Sequence, residues 1–101
     1  MLFRSDPASV AERMTDRTRV ILPVHLYGQC CDMEALREIA CPGGILLIDD
    51  CAHAAGAEYR GRKAGALADI SVFSFHQQKN MVTLGEGGMV TTGDADRKSV
   101  V

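Results

Sequence analysis

Four consecutive aliphatic residues that lead directly into two aspartates constrain the fold of this chain more than any other feature. The aliphatic run covers residues 45–48, and Asp49 and Asp50 follow it. An apolar run without polar alternation predicts a strand that is buried on both faces, as in a parallel sheet. Two carboxylates at the end of such a strand are costly unless one reaches water and the other has a partner. A ligand site and a plain helix cap or solvated turn both remain open as interpretations at this point.

The segments around this strand alternate between helix-like and strand-like patterns. Asp6 and Pro7 predict a helix start, and residues 19–24 predict a first strand covered on both faces, with Pro23 at a sheet edge or beyond the pairing. Asp32 is placed to cap a second helix, which residues 42–44 end. A strand, helix, strand order implies a parallel strand pair.

Two further strands and a last helix follow in the second half of the chain. Residues 69–75 and 88–92 predict strands, Asp94 predicts a helix cap, and the glycine-containing segment from residue 56 to 65 predicts a loop or a short edge strand. The aliphatic strand is expected to end where Asp49 and Asp50 begin. The expected fold class is therefore α/β, with a central parallel-rich sheet and flanking helices.

Composition excludes several classes of protein. The 101 residues are 47% hydrophobic and 24% charged, which predicts one globular domain at most. Eleven basic and 13 acidic residues are mixed along the chain, so we expect no nucleic-acid or membrane-surface partner. The longest apolar runs have four or five residues, too few for a membrane span. Residues 1–4 lack the apolar region of a secretory signal, which predicts a cytoplasmic protein.

The four cysteines predict reduced thiols rather than disulfides. Adjacent Cys30 and Cys31 cannot readily bond to each other, and no pair has the C-x-x-C spacing. A zinc site that combines cysteines with His25, His53 or His76 stays open, although the spacings match no common framework. Small half-buried thiols are the simpler interpretation, and we predict no metal site.

A second strand end carries a lysine followed by glycines. Residues 73–75 lead into Lys79, and the sequence G-E-G-G follows at residues 85–88. Ligands of open parallel sheets bind beyond the carboxyl ends of the strands, so this placement indicates a lysine near a pocket. An ordinary surface lysine is the simpler alternative. The segment is not a P-loop, because the lysine precedes the glycines.

These stretches together resemble the fold-type I pyridoxal-phosphate aminotransferases of the DegT/DnrJ/EryC1/StrS family, which act mainly on keto sugars attached to nucleotides. The likeness is carried by residues 23–29, 48–57, 73–80 and 85–88, and it extends from about residue 6 to residue 94. The order S-F-x-x-x-K followed by G-E-G-G is its most specific part.

The resemblance implies a role for each matching residue. Lys79 matches the lysine that forms the internal aldimine with pyridoxal 5'-phosphate and moves the proton during transfer. Asp50 matches the carboxylate that pairs with the pyridine nitrogen, and Asp49 is then the structural neighbour. His53 matches a position near the phenolic oxygen of the cofactor, and Ser74 matches a phosphate-binding hydroxyl. The implied reaction transfers an amino group from glutamate or glutamine to a nucleotide-linked keto sugar.

Three more side chains are candidates for the same region. His25 and Tyr27 follow another strand end and are expected as possible pocket residues. Cys51 with His53 could form a nucleophilic Cys–His pair, but the sequence shows no third member or oxyanion site for it. A structural histidine remains an alternative for His53.

The resemblance also implies what accompanies this chain. Family members are several times longer, carry further phosphate contacts and a C-terminal domain, and work as homodimers with sites at the subunit interface. Residues 1–101 are therefore expected to be part of the large domain, with exposed sheet edges and faces, and inactive alone. The pathway stays open, because polysaccharide, antibiotic-sugar and cell-surface glycan biosynthesis all use such enzymes.

Two rival functions remain open. A non-catalytic or regulatory family member could keep the fold and the cofactor, and a plain nucleotide-binding α/β module would need no carbonyl chemistry. A dehydratase branch of the family has histidine in place of the lysine, so Lys79 favours amino transfer.

Overall fold

The computed structural model describes residues 5–79 and 81–98 of the chain. Residues 1–4, on which the expected lack of a secretory signal depends, and Asn80, in the matching stretch of residues 73–80, lie outside the described residues. The helices are α1 (Pro7–Arg13), α2 (Met33–Ala40) and α3 (Ala95–Lys98). The strands are β1 (Val20–Ile21), β2 (Leu46–Asp50), β3 (Glu58–Tyr59), β4 (Arg62–Lys63), β5 (Ile70–Ser74) and β6 (Gly88–Thr92).

Four of these strands form one mixed, parallel-rich sheet in the order β1-β2-β5-β6. The pairs β1–β2 and β2–β5 are parallel, with Asp50 opposite Val72, and β5–β6 is antiparallel, with Ser74 opposite Gly88. The predicted α/β class with a parallel-rich sheet is confirmed. The glycine-containing segment after β2, predicted as a loop or a short edge strand, instead forms the small antiparallel β3–β4 hairpin, which is separate from the main sheet.

The core lies between α2 and one face of the sheet. Helix α2 begins where the Asp32 carboxylate accepts a hydrogen bond from the Ala35 amide at 3.1 Å, as the sequence predicted. A short 3₁₀ turn, Cys41–Gly43, follows it, and Gly44 closes that turn at φ +62°. The buried side chains of this core include Ile21, Met33, Leu36, Ala40, Leu47 and Phe73.

The opposite face of the sheet is open and apolar. Leu22 is 57% exposed and Val72 is 41% exposed, and Val20 and Val90 on neighbouring strands are exposed as well. The prediction that residues 19–24 form a strand covered on both faces is wrong, because only Val20–Ile21 are in β1 and alternate side chains reach the open face. Chains of this class are expected to bury both faces of a parallel sheet.

None of the helices within the described ranges is both long and apolar enough to cross a lipid bilayer.

Strand β2 continues through both aspartates instead of ending before them. The Asp50 amide donates to the Pro23 carbonyl at 2.9 Å, and the Cys51 amide donates to the Val72 carbonyl at 2.8 Å. The predicted strand end was therefore two residues too early. Because backbone pairing reaches this far, successive side chains alternate between the two faces, and Asp49 and Asp50 point to opposite sides of the sheet.

A glycine beneath β5 gives a test of how tightly this part of the sheet is packed. A Cβ atom added at Gly65 would lie 2.7 Å from Phe73 Cζ, whereas one at Gly61 would meet nothing within 4 Å. Both glycines have positive φ, +97° and +79°, so in both variants alanine is destabilised by the left-handed backbone conformation. We expect Gly65→Ala to destabilise the full-length protein by about 1–3 kcal/mol more than Gly61→Ala, because only the first overpacks the core. Melting temperatures of the two variants measure the difference, and equal values contradict this account of the packing.

Candidate active site

The two aspartates of β2 occupy different environments. Asp49 is 0% exposed and lies on the face that packs against α2. Asp50 is partly exposed and lies on the open face. There it lines a depression of about 340 Å³ whose walls also include Leu22, Ile48, Ala52, Val72 and Ser74. The open face therefore carries one carboxylate within a largely apolar hollow.

The Asp50 carboxylate is held at its base by local hydrogen bonds. Its Oδ1 accepts from the Ala52 amide at 2.9 Å. Its own amide and carbonyl are paired with the segment after β1, through Pro23 and His25. A backbone fixed on both sides leaves the side chain few directions, so the negative charge is presented to the depression in a defined place.

Ser74 brings a hydroxyl to the same depression from the neighbouring strand. It is the last residue of β5, where the strand pairs with Gly88 of β6. Its Oγ accepts a long hydrogen bond of 3.4 Å from the His76 amide. A hydroxyl can donate as well as accept, so Ser74 can still donate to an anionic group at this strand end. Asp50 and Ser74 therefore line the same depression at this edge of the sheet.

Lys79 and His53 are in direct contact. Lys79 Nζ lies 3.1 Å from His53 Nε2, and both side chains are partly buried. Lys79 sits in the turn after β5, where its amide donates to the His76 carbonyl at 2.8 Å. His53 follows Asp50 by three residues, and its carbonyl accepts from the Gly28 amide at 2.9 Å. At this distance the two nitrogens share one hydrogen bond, which sets the position of the Lys79 amine relative to His53.

Tyr27 stands beside this pair. Its ring centroid lies 6.4 Å from that of His53, and the residue is 84% exposed. Its backbone has φ +52°, an unusual conformation for a residue other than glycine, within a tight turn between Leu26 and Gln29. The exposed ring therefore lies near His53, and a place for Tyr27 in a substrate pocket stays a prediction.

His25 lies elsewhere than the sequence suggested. It is 0% exposed, on the face of the sheet opposite the depression, with Nε2 2.9 Å from Asp49 Oδ2. Sequence reasoning missed this contact, although the alternation of Ile21, Pro23 and His25 could have indicated it. Residues two apart on an extended segment share a face, and both Ile21 and Pro23 are buried.

Cys51 is not placed for nucleophilic chemistry. It is buried beside Asp49, and burial together with the Asp49 charge raises the pKa of the Cys51 thiol to about 12. A thiol that stays protonated is a poor nucleophile and a poor metal ligand. Its expected partner His53 contacts Lys79 instead. The Cys51–His53 alternative therefore has no support in the geometry. Cys51 lies instead beside His25 and Asp49, and the possible ligand atoms of these three buried residues lie within 4.8 Å of one another.

Comparison with known proteins gives one consistent family. The model of the DegT/DnrJ/EryC1/StrS aminotransferase family matches residues 2–100. The chain is 50% identical to the GDP-perosamine synthase of Caulobacter vibrioides over 94 residues, which are 93% of this chain and 25% of that protein. It is 50% identical over 91 residues to the dTDP-3-amino-3,4,6-trideoxy-alpha-D-glucose transaminase of Streptomyces venezuelae, covering 90% of this chain and 24% of the relative.

A solved structure agrees with these matches. The chain superposes on Streptomyces venezuelae DesV, determined in complex with a ketimine intermediate, with a TM-score of 0.91 and 47% identity. The superposition covers 95% of this chain and 26% of DesV. The chain thus spans about a quarter of the length of the curated relatives it matches.

Proposed function

Because the chain belongs to the DegT/DnrJ/EryC1/StrS aminotransferase family, we propose that it is part of the large domain of a pyridoxal-phosphate-dependent aminotransferase. The acceptor in this proposal is a keto sugar linked to a nucleotide, and the amino donor is glutamate or glutamine. The names of the two relatives, which refer to GDP- and dTDP-linked sugars, support the choice of acceptor. The working form is a cytoplasmic homodimer of the full-length protein.

The observation that carries the proposal is that Asp50 and Ser74 line one depression. Lys79 is hydrogen-bonded to His53, three residues after Asp50. A volume of about 340 Å³ falls within the range of small-molecule pockets, about 300–1,000 Å³. A fixed carboxylate, a hydroxyl and an amine are the groups that a phosphorylated pyridine aldehyde needs. The residues present therefore fit pyridoxal 5'-phosphate.

Each residue has one task in this proposal. Asp50 would hold a positive charge on the pyridine nitrogen, Ser74 would bind the phosphate, and Lys79 would bond to the aldehyde carbon. The cofactor supplies an electron sink for the negative charge that develops on the substrate carbon. His53 would orient Lys79 Nζ toward the cofactor aldehyde through the hydrogen bond that joins the two side chains at 3.1 Å.

Reductive trapping tests the proposal directly. We expect borohydride treatment of the full-length protein, loaded with pyridoxal 5'-phosphate, to leave a cofactor adduct on Lys79 in peptide mass spectra, because a neutral amine bonds to an aldehyde. Lys63 serves as the internal control, since it is exposed and paired with Glu58 at 2.5 Å. No adduct, or an adduct spread over surface lysines, contradicts the proposal. An adduct without any half-reaction with glutamate or glutamine would instead identify the non-catalytic family member.

A further inference from the structure

A buried hydrogen-bonded pair lies directly behind the proposed cofactor site. His25 Nε2 and Asp49 Oδ2 are 2.9 Å apart, and neither residue has any exposed surface. The amide of Cys31 donates to His25 Nδ1 at 3.0 Å, so both ring nitrogens are engaged. The proposed reaction uses neither residue, yet both lie within the segments that carry the site.

His25 is bonded to both aspartates of β2. Its side chain binds the Asp49 carboxylate, and its amide donates to the Asp50 carbonyl at 3.0 Å. Asp49 and Asp50 share a peptide group but face opposite sides of the sheet. Fixing the Asp49 side chain and the Asp50 carbonyl therefore fixes the direction in which the Asp50 side chain leaves the strand.

We propose that His25 is a positioning residue that selects Asp49 for the buried face and thereby aims Asp50 at the cofactor. Two adjacent aspartates create an ambiguity, because a one-residue slip of β2 would exchange their faces. Hydrophobic pattern alone does not resolve it, since the two side chains are chemically identical. A buried imidazole that hydrogen-bonds to the aspartate on its own face gives the two strand registers different free energies. This inference rests on the proposed function of Asp50.

The protonation of His25 does not alter this role. Burial lowers the pKa of His25, but the hydrogen bond to Asp49, the Cys31 side chain and the Asp49 charge together outweigh it and raise that pKa to about 9. The Cys31 amide, which points at Nδ1, is compatible only with a ring whose proton is on Nε2. A second proton would displace that amide and leave Nε2–H directed at Asp49. The contact that sets the register is therefore present in both states.

Two substitutions separate the two hydrogen bonds of the ring. In His25→Gln the amide nitrogen can take the place of Nε2 and donate to Asp49. In His25→Asn the amide oxygen can take the place of Nδ1 and accept from Cys31, but Asp49 loses its donor. We expect His25→Asn to weaken cofactor binding by about 10- to 100-fold and to shift the pH midpoint of the bound cofactor's absorbance, as removal of supporting partners does elsewhere. His25→Gln is expected to remain within about threefold of wild type.

Leu36→Ala is the matched control for stability. It removes a fully buried apolar side chain from α2, which can make no hydrogen bond to the pair, and it is expected to lower the melting temperature. A purely structural role for His25 predicts that His25→Asn and Leu36→Ala both lower the melting temperature and both keep the wild-type cofactor affinity and pH midpoint. That outcome overturns the positioning role of His25. It leaves the proposed function intact if borohydride still traps the cofactor on Lys79 of the wild-type protein.

A measurement on the unmodified side chain covers the case in which His25→Asn does not fold. With ¹⁵N-labelled histidine, we expect cofactor binding to shift the His25 Nε2 resonance in wild type and not in Asp50→Ala. Equal shifts in the two proteins, or none in wild type, overturn the positioning role.

Discussion

Replacing Lys79 by alanine in the full-length enzyme is expected to lower amino transfer by about 10³-fold or more. The proposed role gives this amine two tasks, holding the cofactor aldehyde and moving a proton, and acid–base catalysis alone contributes about 10²- to 10⁴-fold. Loss of the side chain also leaves His53 without its partner at 3.1 Å. Single-turnover rates with the amino donor, measured at saturating cofactor, give the size of the loss.

Lys79→Arg is the informative companion variant. Arginine keeps the positive charge and can still donate to His53, but its guanidinium does not become neutral in proteins. If Lys79 acts through a neutral amine, we expect the arginine variant to lose as much activity as the alanine variant. Retention of more than about a tenth of wild-type activity in Lys79→Arg shows that only charge is needed. Lys63→Ala, at an exposed lysine, is expected to stay near wild type.

Asp50→Asn is expected to lower kcat by about 10²-fold or more while the protein stays folded. Asparagine has nearly the same volume, and its Oδ1 can still accept from the Ala52 amide at the 2.9 Å position. It carries no negative charge, however, and therefore cannot hold a proton on a ring nitrogen of the cofactor. The half-reaction with the amino donor should slow by a similar factor, because charge development on the substrate carbon is the step that depends on that proton.

Asp69→Asn is the control for loss of a strand-supporting aspartate. The Asp69 carboxylate also accepts from a backbone amide, that of Leu47 at 2.9 Å, and it pairs with Arg37 at the far end of β2. This substitution is expected to lower the melting temperature and leave kcat within about threefold. An Asp50→Asn enzyme that turns over within threefold of wild type, with cofactor bound, removes Asp50 from the proposed site.

Local sequence signals predicted the regular elements well. The Asp32 cap and the glycines after Pro42 bracket α2, and the observed helix, Met33–Ala40, lies between them. Strand β6 covers Gly88–Thr92, as predicted from its apolar and β-branched residues. These elements are set by short-range capping and propensity, so a single sequence contains the information for them.

Features that depend on distant partners were predicted less well. The end of β2 was placed too early because Asp49 and Asp50 have poor strand propensity, whereas pairing with the β1 and β5 segments extends the strand through them. The position of His25 depends on which neighbour it meets across the sheet. The exposure of Leu22 depends on what covers the open face, which the apolar character of the residue does not specify. In each case a tertiary contact decided the outcome.

The strand order has a consequence for how the proposed site resists local opening. Asp50 and Ser74 belong to β2 and β5, the two interior strands, whose backbones are bonded on both sides. Lys79 belongs to the turn after β5, which is held by isolated bonds such as that from its amide to His76. Amides of interior strands exchange with solvent far more slowly than those of such turns. Asp50 and Ser74 are thus held on a rigid part of the sheet. The turn that carries Lys79 can open locally and close again while the sheet stays folded.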